Sequence, residues 1–341
     1  MLILNMLSSA DKFAAQGVLS AYLELVKMLK KNASDVFTIK INSLKKSDIT
    51  HYHTIDPIYY FFTFFKFYTG IRVGSVHFLP ETLDGSIKLP KFIFAILKKY
   101  VVSFYKRMDH LVVVNPDFIN KLETYGLNRK KITYIPNFVS KEKWYKLSID
   151  EKNSFKDQLQ IARDKFIVLG AGQIQKRKGI DNFIALAKKN LDVQFIWAGG
   201  FSFGKITDGF KCYKKIVDHP PKNLLFTGII SREEMMQYYN IADLFLLPSF
   251  NELFPMSILE AASTKTPVML LDLKLYHYIL KGKYLCVHDF KDMNKKLREI
   301  LNKKEILIAY QENSEEISMQ YSEEALYKIW KNFYKSLLKP V

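Results

Sequence analysis

Apolar residues in this chain fall into short β-branched or aromatic runs separated by amphipathic stretches, and the second half shows this most cleanly. KFIVLGAG, VQFIWAGG, NLLFTGII, DLFLLPS and PVMLLD have the composition of strands buried on both faces. Between them lie helical patterns such as GIDNFIALAKK and SREEMMQYYNIA. Ser231, with Glu234 three positions on, predicts a capping box in front of Met235. The first half repeats the alternation more loosely, with strands predicted near LILNML, VFTIKIN, ITHYH, IRVGSVHFL, HLVVVN and KITYIP. This punctuation predicts an α/β protein with parallel sheets, built as two Rossmann-like domains in tandem. Ligands of open α/β sheets collect beyond the carboxyl ends of the strands, so two such domains facing across a cleft are expected to hold one between them. An apolar strand gives way to polar sequence after Pro136-Asn137-Phe138, which places the domains at 1–140 and 141–322. The last helical pattern, within 323–341, is expected to cross back onto the first domain.

A length of 341 residues suits two cores better than one. The formal charge of +17 favours an anionic partner, whether nucleic acid, acidic membrane or phosphorylated ligand. Residues 1–150 hold 22 Lys and Arg against 12 Asp and Glu, a net of +10 that leaves +7 for the rest. Cys212 and Cys286 are far apart and form no Cys-x-x-Cys pair. That argues against a disulfide frame or a cysteine-ligated metal and makes core filler the expected role of both. The apolar MLILNML start lacks a basic leader region, and no run reaches the length of a spanning helix, so a cytoplasmic protein is expected.

The candidate chemistry centres on NELFPMSILEAASTKTPV, Asn251 to Val268, where Glu252 and Glu260 flank the start of a helix expected to be buried. Pro255 fits the first helical position, leaving the amides around Phe254, Met256 and Ser257 among the unpaired donors that favour an anion such as a diphosphate. Ile258, Leu259, Ala261 and Ala262 are apolar enough to bury the helix, so the two acids need polar partners or an open edge. Sugar hydroxyls could serve.

With these motifs the chain resembles glycosyltransferase family 4 over nearly its whole length. Glu252 and Glu260, separated by seven residues, match the family's glutamate pair, and Glu260-Ala261 and Pro267-Val268 match the family's Glu-Ala and Pro-Val beyond it. GAGQIQKRKGID resembles the family's phosphate-binding segment with Lys178 and Gly179 in place, and IPNFV at 135–139 resembles the interdomain motif. SVHF and THYH put His77 and His53 at strand ends. A narrower similarity in NMLSSADKFAAQG, WAGGFSFGKITDG and NELFP is to bacterial synthases that add a second hexose to monoglucosyl-diacylglycerol.

The resemblance implies the GT-B fold and a retaining transfer from a UDP-hexose, UDP-glucose favoured and UDP-galactose possible, to a glycolipid. Lys178 would neutralise the diphosphate, Glu260 would bind ribose and Glu252 the transferred sugar. Gly228 and Ile229 would face the uracil, Gly17 would admit phosphate and sugar, and His77 would sit near the donor sugar. Gln173 stands where the family usually has Arg, leaving Arg177 or Lys176 to replace that cation. Lys265 and the single Gly17 likewise depart from the family's glycines. No Asp-x-Asp occurs, so no metal is expected in the donor site and no cofactor beyond the donor substrate.

KLPKFIFAILKKYVVSFYKR, residues 88–107, carries six Lys or Arg and no acid among Phe92, Phe94, Ile96, Val101 and Phe104, which predicts an interfacial helix. Lys88, Lys91, Phe92, Lys98, Lys99, Lys106 and Arg107 are its candidate contacts with anionic lipid, which would place the protein peripherally on the cytoplasmic face of the membrane. YYFFTFFKFY at 59–68 fits a core helix or a lipid-facing groove equally. A soluble glycan, teichoic acid or protein acceptor is the alternative. A nucleic-acid-binding protein is a remote one, since the sharpest motifs are acidic and glycine-rich.

Overall fold

In the computed structural model, which describes residues 1–10, 17–83, 90–202, 204, 207 and 209–338, each apolar run named above is a strand. The chain divides into two units, Met1–Phe138 with Glu323–Val341, and Val139–Ser322.

Unit 1 contains β1 (Leu2–Leu7), β2 (Phe37–Ile41), β3 (Ile49–Tyr52), β4 (Ile71–Val76), β5 (His110–Val113) and β6 (Ile132–Tyr134). They pair in parallel in the order β2-β1-β3-β4-β5-β6. Its helices include α1 (Gly17–Asn32), α2 (Pro57–Phe62), α3 (Lys66–Thr69), α4 (Lys91–Lys106) and α5 (Asp117–Thr124).

Unit 2 holds α6 (Ile149–Gln158), β7 (Ile167–Ala171), α7 (Ile180–Lys189), β8 (Gln194–Ala198), α8 (Phe210–Asp218), β9 (Leu224–Gly228) and α9 (Arg232–Ile241). It continues through β10 (Leu244–Leu247), α10 (Met256–Ser263), β11 (Val268–Leu271), α11 (Lys274–Leu280), β12 (Leu285–Val287), α12 (Phe290–Asn302) and α13 (Ile306–Gln320). Its sheet is also all parallel, ordered β12-β11-β10-β7-β8-β9. Strand β12, three residues long, has too short an apolar run to stand out by pattern. The capping box forms as predicted, with the Ser231 hydroxyl accepting from the Glu234 amide and the Glu234 carboxylate from the Ser231 amide.

The last helix, α14 (Glu323–Leu337), belongs to unit 1. Leu326, Trp330, Phe333 and Tyr334 join the core around Leu4, Met6, Leu29 and Val73. Glu323 accepts from Asn32 Nδ2 at 2.8 Å and Lys331 pairs with Asp35 at 3.2 Å, tying α14 to the end of α1. The core of unit 2 is built on Phe183, Phe195 and Trp197, packed edge to face with centroids 5.0 to 5.4 Å apart. A Cβ on Gly170 would lie 2.6 Å from the Trp197 ring, so β7 runs against the indole only because it has none there.

In each sheet the strand order reverses once, where a crevice forms beyond the strand ends. In unit 1 the reversal lies between β1 and β3, and in unit 2 between β7 and β10.

Candidate functional site

The residues singled out in the second half converge at the unit 2 reversal. Strand β7 leads into a 3₁₀ turn, Lys176–Lys178, closed by Gly179 at φ +72°. A Cβ on Gly179 would lie 2.0 Å from the Pro248 carbonyl oxygen, so only glycine lets this turn rest against the end of β10. The Arg177 carbonyl then accepts from the Phe250 amide at 2.9 Å. Lys178, following β7, and Glu252, following β10, therefore meet across the reversal.

Lys178 Nζ donates to Glu252 Oε1 at 2.5 Å, and the two side chains are 14% and 6% exposed. Burial lowers the Lys178 pKa, and the Glu252 carboxylate opposes that shift. The pair is a preformed polarised contact beside the start of α10. Pro255 is the residue before this helix and not its first turn, as the motif suggested, because its ψ of 119° is extended. Met256 is thus the first helical residue, and Ile258 N–H donates to the Pro255 carbonyl at 3.2 Å. Phe254 and Met256 are buried, Phe254 edge-on to Tyr321 at 5.4 Å.

Glu260, on the second turn of α10, accepts from Tyr239 Oη at 3.0 Å and pairs with Arg232 at 3.4 Å. The Arg232 guanidinium lies 5.2 Å from the Trp144 ring centroid. Sequence reasoning missed Arg232 and Tyr239. The available signal was their i, i+7 spacing on the capped helix α9, which puts both on one face. Burial and the Glu260 charge push the Tyr239 hydroxyl well above its ordinary pKa, so it stays a donor.

Around the turn, Gln173 Oε1, Gln175 Oε1 and Nε2, Arg177 Nε and Ser249 Oγ are buried polar atoms with no hydrogen-bond partner among the described residues. Buried polar groups of this kind are ordinarily satisfied in folded proteins, by protein, water or ligand. Arg177 reaches the Asn251 carbonyl at 3.5 Å, and Lys176 is exposed. Gly228 ends β9 at φ +71° with open space where a Cβ would point, and Ile229 beside it is 47% exposed.

Gly17 and His77 lie in unit 1, Gly17 at the start of α1 with no heavy atom within 4 Å of its missing Cβ. His77 follows β4 and is buried, its Nε2 3.5 Å from His53 Nδ1. The His53 ring lies tilted against His51, centroids 4.1 Å apart, and His51 in turn contacts Tyr334 Oη at 2.7 Å and Ser75 Oγ at 2.8 Å. Burial keeps all three neutral: it lowers the pKa of His51 to about 3, of His77 to about 4, and of His53 well below its usual value. His53, Ser75, His77, Asn137 and Trp330 line a cavity within this unit.

The predicted interfacial helix is α4, but it is two different halves. Phe92 and Ile96 are 68% and 63% exposed, whereas Val101 and Phe104 are 0% and 1% exposed and belong to the core. The basic residues divide too. Lys91 and Lys99 face solvent, as does Lys106, while Lys98 pairs with Glu81 at 3.3 Å. Arg107 is not a free surface cation: it donates to Thr63 Oγ1 and lies 3.4 Å from the Phe64 ring centroid. Lys88 lies outside the described residues.

The aromatic run at 59–68 is no core helix. Phe61, Phe64, Phe65, Phe67 and Tyr68 are 45–70% exposed, and only Tyr59 and Phe62 are buried within α2. Tyr60 Oη meets Ser103 Oγ at 2.8 Å, so α2 docks on the inner half of α4 and leaves its phenylalanines outward. Among the described residues, no helix is long and apolar enough to cross a membrane.

Comparison with known proteins bears on family and fold. Residues 16–143 match the family model Glycosyltransferase Family 4, and residues 151–317 match Glycosyl transferases group 1. An alpha-galactosylglucosyldiacylglycerol synthase of Streptococcus pneumoniae is 52% identical over 97% of this chain and 89% of its own length. A processive diacylglycerol alpha-glucosyltransferase of Acholeplasma laidlawii is 24% identical over 72% of this chain and 75% of its own. Among solved structures, the Anabaena protein HepE in complex with UDP-glucose aligns over 98% of this chain and 100% of its own with a TM-score of 0.80 at 13% identity. The two parallel sheets have the GT-B fold, and the chain is a glycosyltransferase belonging to family 4.

Proposed function

We propose that the chain transfers a hexose from a UDP-hexose to monoglucosyl-diacylglycerol, making an α-linked diglycosyl-diacylglycerol at a membrane surface. The observation that carries this reading is the 52% identity over 97% of the chain to the Streptococcus pneumoniae synthase. That relative's product is named as a galactosylglucosyl lipid, which moves UDP-galactose ahead of UDP-glucose as the first donor to test.

In this reading the donor is held by unit 2. The diphosphate takes the Lys178 ammonium and the first amides of α10, where the helix dipole adds positive potential. Charge that builds on the departing UDP is stabilised there without reorganisation of the site. Gln173 and Ser249 offer polar atoms with no hydrogen-bond partner among the described residues, and Arg177 supplies the cation that Gln173 lacks. Glu252 accepts from hydroxyls of the transferred hexose, and its contact with Lys178 holds both groups in place before the donor arrives. Glu260, already oriented by Tyr239 and Arg232, accepts from the ribose. Gly228 and Ile229 flank the uracil. His77, neutral at ordinary pH, offers a ring N–H to a sugar hydroxyl as a donor without charge. The anomeric configuration is retained, with the leaving phosphate assisting deprotonation of the acceptor hydroxyl.

The exposed aromatic and basic surface of α2, α3 and the outer half of α4 supports the lipid acceptor over a soluble one. Each phenylalanine moved from water into lipid contributes about 1.5–3 kcal/mol when fully immersed, and each nearby Lys about 1 kcal/mol at an anionic leaflet.

The test offers the purified chain radiolabelled UDP-galactose or UDP-glucose with a panel of acceptors: monoglucosyl-diacylglycerol vesicles, diacylglycerol vesicles, teichoic acid and soluble oligosaccharides. Label in extractable lipid only with the first acceptor, α-configured by proton coupling, is the expected result. Transfer to a soluble acceptor, or to diacylglycerol alone, overturns the reading.

A further inference from the structure

We infer that Asp272, His277, Cys286 and His288 form a Zn²⁺ site at the edge of the unit 2 sheet. The ligand atoms of Asp272, Cys286 and His288 all lie within 4.8 Å of one another. His288 Nδ1 is 3.3 Å from Asp272 Oδ2, and His277 Nε2 is 2.6 Å from Asp272 Oδ1. Cysteine spacing alone argued against a metal here, because the ligands come from three elements that only the fold brings together.

The backbone makes the cluster. Strands β11 and β12 pair in parallel with Leu271 opposite Val287, and the Asp272 amide donates to the Val287 carbonyl at 2.8 Å. Asp272 therefore leaves β11 beside Cys286 and His288, which are two apart on an extended segment and share a face. Helix α11 then returns His277 to Asp272. Neither cysteine is the core filler expected: Cys286 is half-buried, and Cys212 is exposed.

The donor set fits zinc. A soft thiolate, two borderline imidazoles and one hard carboxylate make a mixed N/O/S set of the kind tetrahedral Zn²⁺ takes, and a poor set for Mg²⁺ or Ca²⁺. Zn–N, Zn–O and Zn–S bonds of about 2.0–2.3 Å place tetrahedral ligands about 3.3–3.8 Å apart. The 3.3 Å between His288 and Asp272 lies in that range and the Cys286 sulfur is within 4.8 Å of both ligand atoms, while the exposed His277 ring has to turn from its 2.6 Å contact with Asp272 to complete the set. Binding releases the Cys286 thiol proton to solvent, after which thiolate and carboxylate balance the dication. Tyr284 hydrogen-bonds the sulfur, an outer partner for the thiolate.

The ion would tie α11 to the ends of β11 and β12. Helix α11 also carries Tyr276, fully buried, whose hydroxyl has no hydrogen-bond partner among the described residues and lies within electrostatic reach of Glu252. The tie fixes the segment that packs behind the donor glutamate.

The experiment strips the full chain with a chelator and titrates it with Co²⁺ and Zn²⁺. One equivalent of Co²⁺ should bind with a thiolate-to-metal charge-transfer band, displaced by Zn²⁺. Cys286→Ser should abolish the band, Cys212→Ser should keep it, and His288→Ala should weaken binding at least tenfold. Zn²⁺ should raise the melting temperature of the native chain and leave that of Cys286→Ser unmoved. Co²⁺ binding without the band, no binding at all, or equal affinity in the native chain and Cys286→Ser overturns the proposal. These readouts are independent of sugar transfer, so they stand whether or not the proposed activity does.

Discussion

The two sheets share a parallel architecture and bury opposite kinds of polar chemistry. At the reversal of unit 2, each buried carboxylate has a cationic partner, Lys178 for Glu252 and Arg232 for Glu260. At the corresponding strand ends of unit 1, the buried groups include three imidazoles kept neutral by desolvation, and the outer surface carries exposed phenylalanines. At these strand ends one unit pairs its buried charges and the other keeps its buried imidazoles neutral. That division suits a transfer whose donor carries a charged diphosphate leaving group and whose acceptor is a sugar on a lipid.

Removing charge from unit 2 is the harshest way to break the comparison. Lys178→Ala is expected to lower kcat by about 10²–10³, the usual loss for one preorganised oxyanion partner, with the lipid-binding isotherm unchanged. A vesicle assay of transfer beside a sedimentation assay of binding checks both halves. Removing apolar surface from unit 1 should do the reverse. Phe61→Ser combined with Phe67→Ser, at positions 64% and 70% exposed, is expected to weaken vesicle partitioning at least tenfold and to leave the melting temperature and UDP affinity as they were.

A smaller effect is expected at Glu260. Glu260→Gln keeps the shape but weakens a charge-assisted contact worth about 1.5–3 kcal/mol, so donor KM should rise roughly tenfold with kcat little changed. Initial rates against UDP-hexose concentration separate the two.

Apart from transfer, a pH dependence of stability is expected from the histidines of unit 1. Its histidines are neutral in the folded state with depressed pKa values, so the unfolded chain binds protons first as pH falls. Stability is therefore full above about pH 6.5 and declines toward pH 4, by at most about 1.4 kcal/mol per pH unit for each histidine. Denaturant melts between pH 7 and 4 check this, and His53→Gln should make the slope shallower.

Much of this was legible in the sequence, for local reasons. Strands buried on both faces announce themselves as apolar runs, and the capped start of α9 follows from Ser231 and Glu234. The glutamate pair and Lys178 were readable as motif. What pattern cannot show is which side of an element meets solvent. The run at 59–68 has no period that distinguishes core from surface, and only the docking of Tyr60 on Ser103 turns its phenylalanines outward. The sequence of α4 has the pattern of one amphipathic unit, although its inner half supplies Val101 and Phe104 to the core. Arg232 and Tyr239 reach Glu260 from a different helix, and the Asp272–His288 cluster joins strand ends that only sheet order makes neighbours.

The division of labour can be tested in one comparison: hexose transfer by the Phe61→Ser, Phe67→Ser chain to monoglucosyl-diacylglycerol in anionic vesicles and to a short-chain monomeric form of the same lipid. Transfer in vesicles should fall more than tenfold relative to the native chain while transfer to the monomer stays equal. Equal losses with both acceptors, or no loss with either, would contradict a surface in unit 1 that serves the membrane and a site in unit 2 that serves the donor.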